Sequence, residues 1–383
     1  MNAVAANASA GRGVRAAATA PPAPRLALLG TGTVGGAFVA RCERLRGEGV
    51  DVPAFAWLAN SRAMRGGGGR PLDALAGLRA APGTPAERPP VAGCDGLRRG
   101  DVLVDATASD RVAARHGEWL ARGINVVTAN KLGRGADLAR AEAIAAAQAG
   151  GGARYGNSAT VGAGLPLLHA ITGLRAGGDR IHAVEGVLSG TLAWLFGGYD
   201  GTRPFSALLR DARGRGLCEP DPRVDLSGQD VRRKLLILAR AAGLPLEAHH
   251  VRVESLLDDT LAAAGAGDAE RLFARLDAPL RRHLLDAQRS GRKLCFTGRF
   301  DAGGAEVGLR SLPASHPLCT GNGTDNLVAI SSCRYATQPL LIRGPGAGAG
   351  VTAAALLDDV LGIVRSESRA SGRSGAARAL STR

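Results

Sequence analysis

The segment that most restricts the fold of this chain is LALLGTGTVGGAF, at residues 26–38. A short apolar run, typical of a buried strand, leads into glycines spaced as G-x-G-x-x-G, and a helical pattern of small residues follows. In such a unit the glycines permit a tight turn, a close approach of the backbone to a pyrophosphate, and tight packing of helix on strand. The helix N-terminus favours the phosphate charge. The pattern predicts dinucleotide binding; the alternative is an ordinary turn in a chain with 55 glycines.

The following segments predict a doubly wound α/β domain with a Rossmann-like order of strands. Further strands are expected at 52–60, 101–109 and 124–131. Residues at the carboxyl ends of parallel strands face the ligand crevice, which places Thr107 and the Asn130-Lys131 pair there. Lys131 is either a site residue or a loop cation, and its position in the motif favours the site. The loop residues expected to contact the dinucleotide are Gly30, Thr31, Gly32, Thr33, Val34 and Gly35.

The end of the second predicted strand bears on the choice of cofactor. An NAD site usually has an acidic residue there, which holds the ribose 2′-OH. Here the sequence reads Asn60-Ser61-Arg62, without an acid. An arginine with small polar neighbours favours the 2′-phosphate, so we expect NADP(H) to be preferred over NAD(H). The alternative, in which Arg62 is an ordinary loop cation, remains open.

A second informative segment is EPDPRVDLSGQDVRRK, which places Glu219, Asp225, Asp230 and Lys234 around a predicted helix start. Ser227 is expected to cap this helix, with Asp230 three residues later as in a capping box. Asp230 and Lys234 are four residues apart and share one helical face. An acidic rim leading to one lysine suits a small cationic substrate that exchanges a proton. The alternative is a surface ion pair that contributes about 0.3–0.5 kcal/mol.

Composition excludes several classes of protein. A chain of 383 residues is expected to form two domains. It has no apolar run of 18 residues, so no membrane span is predicted. The six cysteines are scattered without metal-binding spacing, which indicates reduced thiols and a cytoplasmic location. The net charge of +14 can attract anionic surfaces without specificity, but no aromatic interleaving indicates a nucleic-acid function.

The chain resembles the homoserine dehydrogenase family over about residues 25–365. The matching segments are GTGTVGG, VVTANK, NSATVGAGLP, GVLSGT, EPDPRVDLSGQDVRRKLLILAR and IRGPGAGAGVTAAALLDDVL, in the family's order. The GPGAG motif is similar to the one in the homoserine dehydrogenase portion of bifunctional aspartokinase enzymes. We expect no kinase portion and no room after residue 365 for a regulatory module. The resemblance implies NAD(P)-dependent interconversion of L-aspartate 4-semialdehyde and L-homoserine, in threonine and methionine biosynthesis, by a homodimer.

The resemblance also implies roles for individual residues. Lys234 is expected to donate a proton to the carbonyl or accept one from the hydroxyl, and Lys131 to orient the same group or share that role. Carboxylates surround the substrate, and Thr191 contacts it, although Thr191 capping the next helix is an equal alternative. The substrate-contacting residues are Glu219, Asp225, Asp230, Gly190 and Thr191, and the returning turn with Gly348, Gly350 and Thr352 completes the cofactor crevice.

Two positions depart from the family pattern. Val224 stands where many relatives have a second aspartate, and Ser158 where some have a glutamate. In relatives the NSATVGAGLP segment can bind a monovalent cation through backbone carbonyls. The matching residues, which would form a Na⁺ site, are Ser158, Val161, Ala163 and Leu165. The alternative is a plain glycine turn that leads into a helix.

The expected division of the chain has four parts. Residues 1–24 are rich in alanine, glycine and proline and contain no acid, which favours a disordered extension over a transit peptide. Loops are expected at 65–71 and 81–90, and sheet strands at 181–189, 292–300 and 324–332. The parts are a disordered extension at 1–24, an NAD(P)-binding domain at 25–155 plus 343–365, an α+β substrate-binding and dimerisation domain at 156–342, and a disordered basic tail at 366–383.

Two other functions remain as alternatives. One is a different NADP-dependent amino-acid dehydrogenase on the same scaffold, since a fold does not determine a function. The other is a non-catalytic nucleotide-sensing protein, suggested by the basic charge. The presence of Lys131, Lys234 and the three carboxylates argues against the second alternative.

Overall fold

The computed structural model describes residues 22–81, 96–265, 268, 271–321 and 323–380. Their strands form two six-stranded sheets, each covered by helices. Most of the predicted N-terminal extension, and the predicted loop at 81–90 from residue 82 onward, lie outside the described residues. No helix among the described residues is long and apolar enough to cross a membrane.

The first sheet has the strand order β3-β2-β1-β4-β5-β6, and all its pairs are parallel except β2–β3. Chain order therefore reverses between β1 and β4, which is the point where doubly wound sheets bind ligands. The predicted Rossmann-like fold is confirmed. The strands are β1 (Leu26–Leu29), β2 (Phe55–Ala59), β3 (Met64–Gly66), β4 (Val102–Asp105), β5 (Asn125–Thr128) and β6 (Tyr155–Gly156).

Helices cover both faces of this sheet. Buried apolar side chains of β1, β2 and β4 alternate between two core clusters, one on each face. The helices that follow its strands are α1 (Thr33–Gly47), α2 (Pro71–Ala80), α3 (Asp110–Ala113), α4 (His116–Ala121), α5 (Leu132–Gly135) and α6 (Leu138–Gly151). The segment 65–71, predicted as a loop, instead contains the end of β3 and the start of α2.

The second sheet has the order β12-β11-β7-β9-β10-β8, antiparallel except for the parallel pair β10–β8. Its helices pack on the face that carries Val184, Phe300 and Ile330. The predicted α+β character of this part is confirmed. The strands are β7 (Ile181–Val187), β8 (Val251–Val253), β9 (Arg292–Asp301), β10 (Gly304–Pro313), β11 (Asp325–Ser332) and β12 (Leu340–Pro345).

The helices of the second sheet include the one that carries the predicted proton donor. In chain order they are α7 (Leu167–Ala176), α8 (Gly190–Gly198), α9 (Phe205–Gly214), α10 (Pro222–Leu226), α11 (Gln229–Ala241), α12 (Asp259–Ala263) and α13 (Asp277–Arg289). Short 3₁₀ turns occur at Ser158–Thr160, Ala248–His250, Phe273–Leu276 and Pro317–Thr320.

The last helix, α14 (Ala349–Leu380), returns to the first sheet. Its apolar face, including Leu356 and Val360, packs into the core cluster of β1 and α1. Asn125, on β5, donates a hydrogen bond from Nδ2 to Glu367 Oε1 at 2.9 Å. The helix extends to residue 380, where the sequence predicted a disordered tail from 366. Alanine and arginine both favour helix, so this composition can continue a helix that packing has already started.

The predicted N-cap of the helix carrying Lys234 is wrong. Ser227 ends α10, and Gly228, with φ of +72°, is the N-cap of α11. The Ser227 hydroxyl donates to Val224 O at 2.8 Å, so Asp230 forms no capping box with it. Two helices meet here in a sharp turn, and glycine adopts the left-handed conformation that this turn requires.

Candidate active site

The glycines of the first βα turn have the separate roles that the spacing predicts. Gly30 has φ of +98°, and a Cβ there would lie 2.7 Å from Ala106 O on the neighbouring strand's loop. A Cβ on Gly35 would overlap Gly30 O, so the helix could not pack this closely with any other residue. Gly32 has no neighbouring heavy atom within 4 Å of such a Cβ, which leaves open space beside the loop. This geometry fits a dinucleotide pyrophosphate at the N-terminus of α1.

A cavity of about 1460 Å³ opens beside this loop, at the switch point of the sheet. Asn60 shapes its rim, because Nδ2 donates to Leu78 O at 2.9 Å while Oδ1 accepts from the Arg62 backbone N–H at 2.8 Å. The carboxylate that lines the cavity, Asp110, hydrogen-bonds Arg140 at 2.6 Å. The predicted cofactor residues on its walls are Gly30, Thr31, Gly32, Thr33, Asn60, Arg62 and Thr107, whereas the Val34 side chain packs on the core.

Arg79, at the end of α2, is a cavity residue that the sequence did not indicate. Its Nε donates to Thr31 O at 2.8 Å and its Nη2 to Gly32 O at 2.9 Å. Arg62 in turn donates to Arg79 O at 3.4 Å. Two guanidinium groups therefore lie at the end of the cavity near β2. No local motif marks Arg79, because only the packing of α2 on α1 brings it to the loop.

The structure brings Lys131, Asp230 and Lys234 together. Lys131 follows β5 of the first sheet, while Asp230 and Lys234 lie on α11, which packs on the second sheet. Asp230 Oδ2 lies 2.8 Å from Lys234 Nζ, and Oδ1 lies 3.4 Å from Lys131 Nζ. Lys234 Nζ also donates to Leu188 O at 2.7 Å, and only 12% of its side chain is exposed. One carboxylate thus bridges two ammonium groups from different parts of the chain.

The electrostatics of this cluster favour an ionised Asp230. Burial opposes the charge of its carboxylate, but the positive charges of Lys234 and Lys131, with their hydrogen bonds, outweigh burial. Together they hold the pKa of Asp230 well below its ordinary value. The site therefore has a fixed negative charge between two proton-bearing amines.

The remaining acidic residues form a rim beside this cluster. Asp225 Oδ2 accepts a hydrogen bond from the Glu219 backbone N–H at 2.9 Å. Burial raises the pKa of Asp225, although this bond acts in the opposite direction. The side chain of Glu219 is exposed, as is Val224, at the position where the family pattern has an aspartate. The rim is thus open to a small polar ligand.

The turn that precedes α8 supports the rim. Thr191 Oγ1 donates to Leu217 O at 2.6 Å, which joins α8 to the segment before Glu219. The N-cap of α8 is Ser189, whose side chain accepts from Leu192 N at 3.2 Å, so the alternative of Thr191 as the cap is wrong. Gly190 approaches a neighbouring loop closely, since a Cβ there would lie 3.0 Å from Thr324 O.

The comparisons with known proteins agree with this arrangement. A family model described as homoserine dehydrogenase matches residues 166–361, and one described as the NAD-binding domain of homoserine dehydrogenase matches residues 30–156. The homoserine dehydrogenase of Schizosaccharomyces pombe is 38% identical over 281 residues, which cover 70% of this chain and 74% of the relative. This chain belongs to the homoserine dehydrogenase family.

Other relatives are longer proteins. The chloroplastic bifunctional aspartokinase/homoserine dehydrogenase 2 of Zea mays is 41% identical over 263 residues, which cover 68% of this chain. The match covers only 29% of the maize protein's length. Among solved structures, a putative homoserine dehydrogenase from Archaeoglobus fulgidus shares the fold, with a TM-score of 0.73, 24% identity, and coverage of 89% of this chain and 99% of that one. A hyperthermophilic archaeal homoserine dehydrogenase in complex with NADPH aligns with a TM-score of 0.68 and 19% identity, over 89% and 97% of the two chains.

The segment at 158–165, where the sequence predicted a Na⁺ site, is held by a buried carboxylate. Asp359, on α14, accepts hydrogen bonds from Ser158 N at 3.0 Å and from Ser158 Oγ at 2.6 Å. Ala163 has φ of +50°, a left-handed conformation that is unfavourable for alanine. Leu165 N donates to Gly162 O at 2.9 Å, and Val161 is fully buried. Among the described residues, no group of three His, Cys, Asp or Glu side chains could hold a metal ion.

The other predicted residues of this homoserine dehydrogenase family member are positioned as follows. Asn130 is buried at the end of β5, where its side chain hydrogen-bonds within the protein. Gly350 lies in the first turn of α14, and a Cβ there would meet open space. Gly348 has φ of +124°, and its carbonyl accepts the Thr352 hydroxyl at 2.8 Å. These last three residues shape the turn that leads into α14.

Proposed function

We propose that this chain catalyses the reversible NAD(P)-dependent reduction of L-aspartate 4-semialdehyde to L-homoserine. The observation that carries the proposal is the cluster in which Asp230 joins Lys131 and Lys234. One lysine follows a strand of the dinucleotide sheet, and the other lies beside the acidic rim. A substrate oxygen at this point would meet ammonium donors from both sides.

The reaction needs a hydride at the carbonyl carbon and a proton at the oxygen. A bound nicotinamide supplies or accepts the hydride, while the protein provides position and electrostatics. The glycine loop with Arg62 and Arg79 would hold the dinucleotide. Its crevice opens at the carboxyl ends of β1 and β4, on the edge of the sheet from which Lys131 also projects.

Lys234 is the proposed proton donor. A lysine ammonium has three N–H bonds, and two of those on Lys234 are directed to Asp230 Oδ2 and Leu188 O. The third remains for the substrate oxygen, which receives the proton as the alkoxide forms. Lys131, whose side chain is more exposed, would polarise the same oxygen. In the reverse direction Lys234 accepts the hydroxyl proton.

The acidic rim is proposed to hold the substrate ammonium. Glu219 lies beside Asp225, and after burial the negative charge of Glu219 is a further cause that raises the pKa of Asp225. An ammonium group between them would relieve that repulsion, so the rim selects for an amino-acid substrate. Thr191, through its bond to Leu217 O, holds the segment before Glu219 for this contact.

We propose that NADP(H) is preferred over NAD(H). Arg62 and Arg79 provide two guanidinium groups at the end of β2, and guanidinium groups bind phosphate through paired N–H donors. No carboxylate stands in the 60–62 turn to hold a free ribose 2′-OH. The related archaeal enzyme that was solved with NADPH is consistent with this preference.

Further proposals concern organisation. The NAD(P)-binding domain is proposed to comprise residues 25–155 plus 343–365, since α14 packs on the first sheet. The substrate-binding domain is proposed to comprise residues 156–342.

We propose a homodimer through the face of the second sheet opposite its helices, where Glu185 lies beside Arg299 and Ala329. The cysteines described are free, which supports a reducing, cytoplasmic setting. A Na⁺ ion is proposed to bind the backbone carbonyls of Ser158, Val161, Ala163 and Leu165.

The test is NADPH oxidation by the purified protein with L-aspartate 4-semialdehyde, repeated with NADH. Rapid oxidation that is faster with NADPH would support both the activity and the cofactor preference. In the reverse direction, L-homoserine should be oxidised, whereas amino alcohols without the carboxylate or of different length should not. Equal rates with several amino alcohols would favour another amino-acid dehydrogenase. A folded protein that binds NADPH without oxidising it would contradict the proposal.

A further inference from the structure

A fully buried histidine lies behind the dinucleotide crevice, apart from the residues proposed to contact substrate or cofactor. His116, on α4, has no exposed surface. Its Nε2 lies 3.0 Å from Asp105 Oδ2, and its Nδ1 lies 3.0 Å from the Tyr155 hydroxyl. An ionised carboxylate only accepts, so in the neutral ring Nε2 carries the hydrogen and Nδ1 accepts from the tyrosine hydroxyl. The contacts thus define both the orientation of the ring and its tautomer.

Asp105 also hydrogen-bonds residues that follow two strands, Thr107 after β4 and Asn130 after β5. Its Oδ1 accepts from Thr107 N at 2.9 Å and from the Thr107 hydroxyl at 2.6 Å. Its Oδ2, which also receives the imidazole N–H, accepts from Asn130 Nδ2 at 3.0 Å. Asp105 is itself fully buried, so loss of any of these donors would leave a buried carboxylate poorly solvated.

Asn130 then fixes the backbone on both sides of Lys131. Asn130 Oδ1 accepts from Leu132 N at 3.1 Å, which closes a turn around Lys131. The same side chain donates to Ser109 O at 2.9 Å, so it also holds the loop after β4. The position of the Lys131 backbone is therefore set by an amide that Asp105 holds in place.

The histidine and tyrosine also contact the chain directly after Lys131. A Cβ on Gly133, in α5, would overlap the Tyr155 hydroxyl and lie 3.0 Å from His116 Nδ1. On its other side α5 is tied to α11, because Arg240 donates to both Arg134 O and Ala136 O at 2.7 Å. Helix α5, which begins after Lys131, is thus held between the His116–Tyr155 pair on one side and α11, which carries Lys234, on the other.

We propose that His116 is a positioning residue for the reaction, which through Asp105, Asn130 and Tyr155 holds Lys131 against Asp230. This inference rests on the proposed function of Lys131. His116 touches neither substrate nor cofactor. Its loss would let Asn130 and α5 relax, which would move Lys131 Nζ relative to the reacting oxygen. A displacement of about 1 Å in such a group can cost about 10²-fold in rate.

The experiment is a double-mutant cycle of His116→Phe with Lys131→Met, with kcat and KM measured separately. His116→Phe alone should lower kcat by about 10-fold to 10²-fold with a nearly unchanged KM for the semialdehyde. In the Lys131→Met background it should have little further effect, because both changes remove the same contribution. His116→Gln, which can still donate to Asp105, should recover part of the lost kcat.

The controls separate positioning from general loss of stability. Leu120→Val is a matched change, since Leu120 is also fully buried on α4 but belongs to the apolar cluster beneath it. It should leave kcat unchanged. If His116→Phe does not fold, Tyr155→Phe removes one hydroxyl of the same network and should lower kcat in the same way, by a smaller factor. Circular dichroism of each variant shows whether it is folded.

Two results would overturn the inference in an active enzyme. One is a fold-loss of kcat in the double variant that equals the product of the losses in His116→Phe and Lys131→Met. The other is a loss of kcat in Leu120→Val as large as that in His116→Phe. Either would leave the proposed function intact. A wild-type protein that binds NADPH but turns over neither substrate would overturn the proposed function and this inference together.

Discussion

Replacing Lys234 by arginine tests the proposed proton donor while retaining its positive charge. The chain has three lysines among 48 basic residues, and two of them meet at Asp230. Arginine supplies charge and hydrogen bonds but does not release a proton at working pH, whereas lysine can. The variant Lys234→Arg therefore removes proton transfer more selectively than alanine would.

The structure gives the size of the effect. Loss of a general acid–base group lowers kcat by about 10²–10⁴-fold, or about 3–5 kcal/mol of transition-state stabilisation. The fold should survive, because Asp230 keeps Lys131 at 3.4 Å and Leu188 O keeps the Asn326 amide at 3.4 Å. The hydrogen bonds at stake are worth about 1–2 kcal/mol of stability.

The assay is NADPH oxidation with the semialdehyde and homoserine oxidation in reverse, since one group serves both directions. Thermal unfolding and NADPH binding are measured in parallel to show that the variant is folded and binds the cofactor. Lys293→Arg, at the third lysine, which is exposed on β9, is the matched control and should be fully active. A Lys234→Arg enzyme with more than about a tenth of normal kcat would refute the assignment of Lys234 as the proton donor.

Three further predictions follow from the geometry. Gly35→Ala should abolish NADPH binding and lower the melting temperature, because the new methyl would overlap Gly30 O; unaltered binding by calorimetry would contradict this. Arg79→Ala should lower kcat/KM for NADPH more than for NADH, whereas an equal loss would show only a structural role for its bonds to the glycine loop. The pKa of Asp230 is lowered in the folded state, so its stabilisation is fully present above the unfolded value of about 4 and is lost as pH falls through the folded value. The stability difference between wild type and Asp230→Asn should therefore be constant from about pH 5 to 8 and shrink below about pH 4, and chemical denaturation across that range would measure it.

The sequence was sufficient to predict the elements that depend on residues close together in the chain. The glycine spacing predicted β1, the turn and α1, because each glycine meets a steric requirement within this one βα unit. The strands expected near 52–60, 101–109, 124–131, 181–189, 292–300 and 324–332 all exist, with ends that differ by a few residues. Apolar runs of this length, bounded by turn residues, predict buried strands well.

Predictions that depended on neighbours in space were less successful. Ser227 has the residue type and spacing of an N-cap, but it ends α10, and Gly228, with a φ of +72°, is the N-cap of α11. The basic tail looked disordered, yet α14 continues to residue 380 after its first turns pack on the first sheet. The cap depended on how two consecutive helices, α10 and α11, join, and the tail depended on packing of the first turns of α14 on a sheet that is distant in the chain.

By itself, the sequence determined that the chain holds a dinucleotide turn, an acidic segment with a lysine, and a second lysine after a strand. It could not determine that Asp230 bridges the two lysines, that Arg79 joins the glycine loop, or that His116 supports the backbone at Lys131. Periodicity and residue type describe contacts within a few residues, because a strand or a helix turn repeats over that distance. Contacts between a residue after β5 and a residue on α11 exist only once both sheets have packed, so only the tertiary structure decided them.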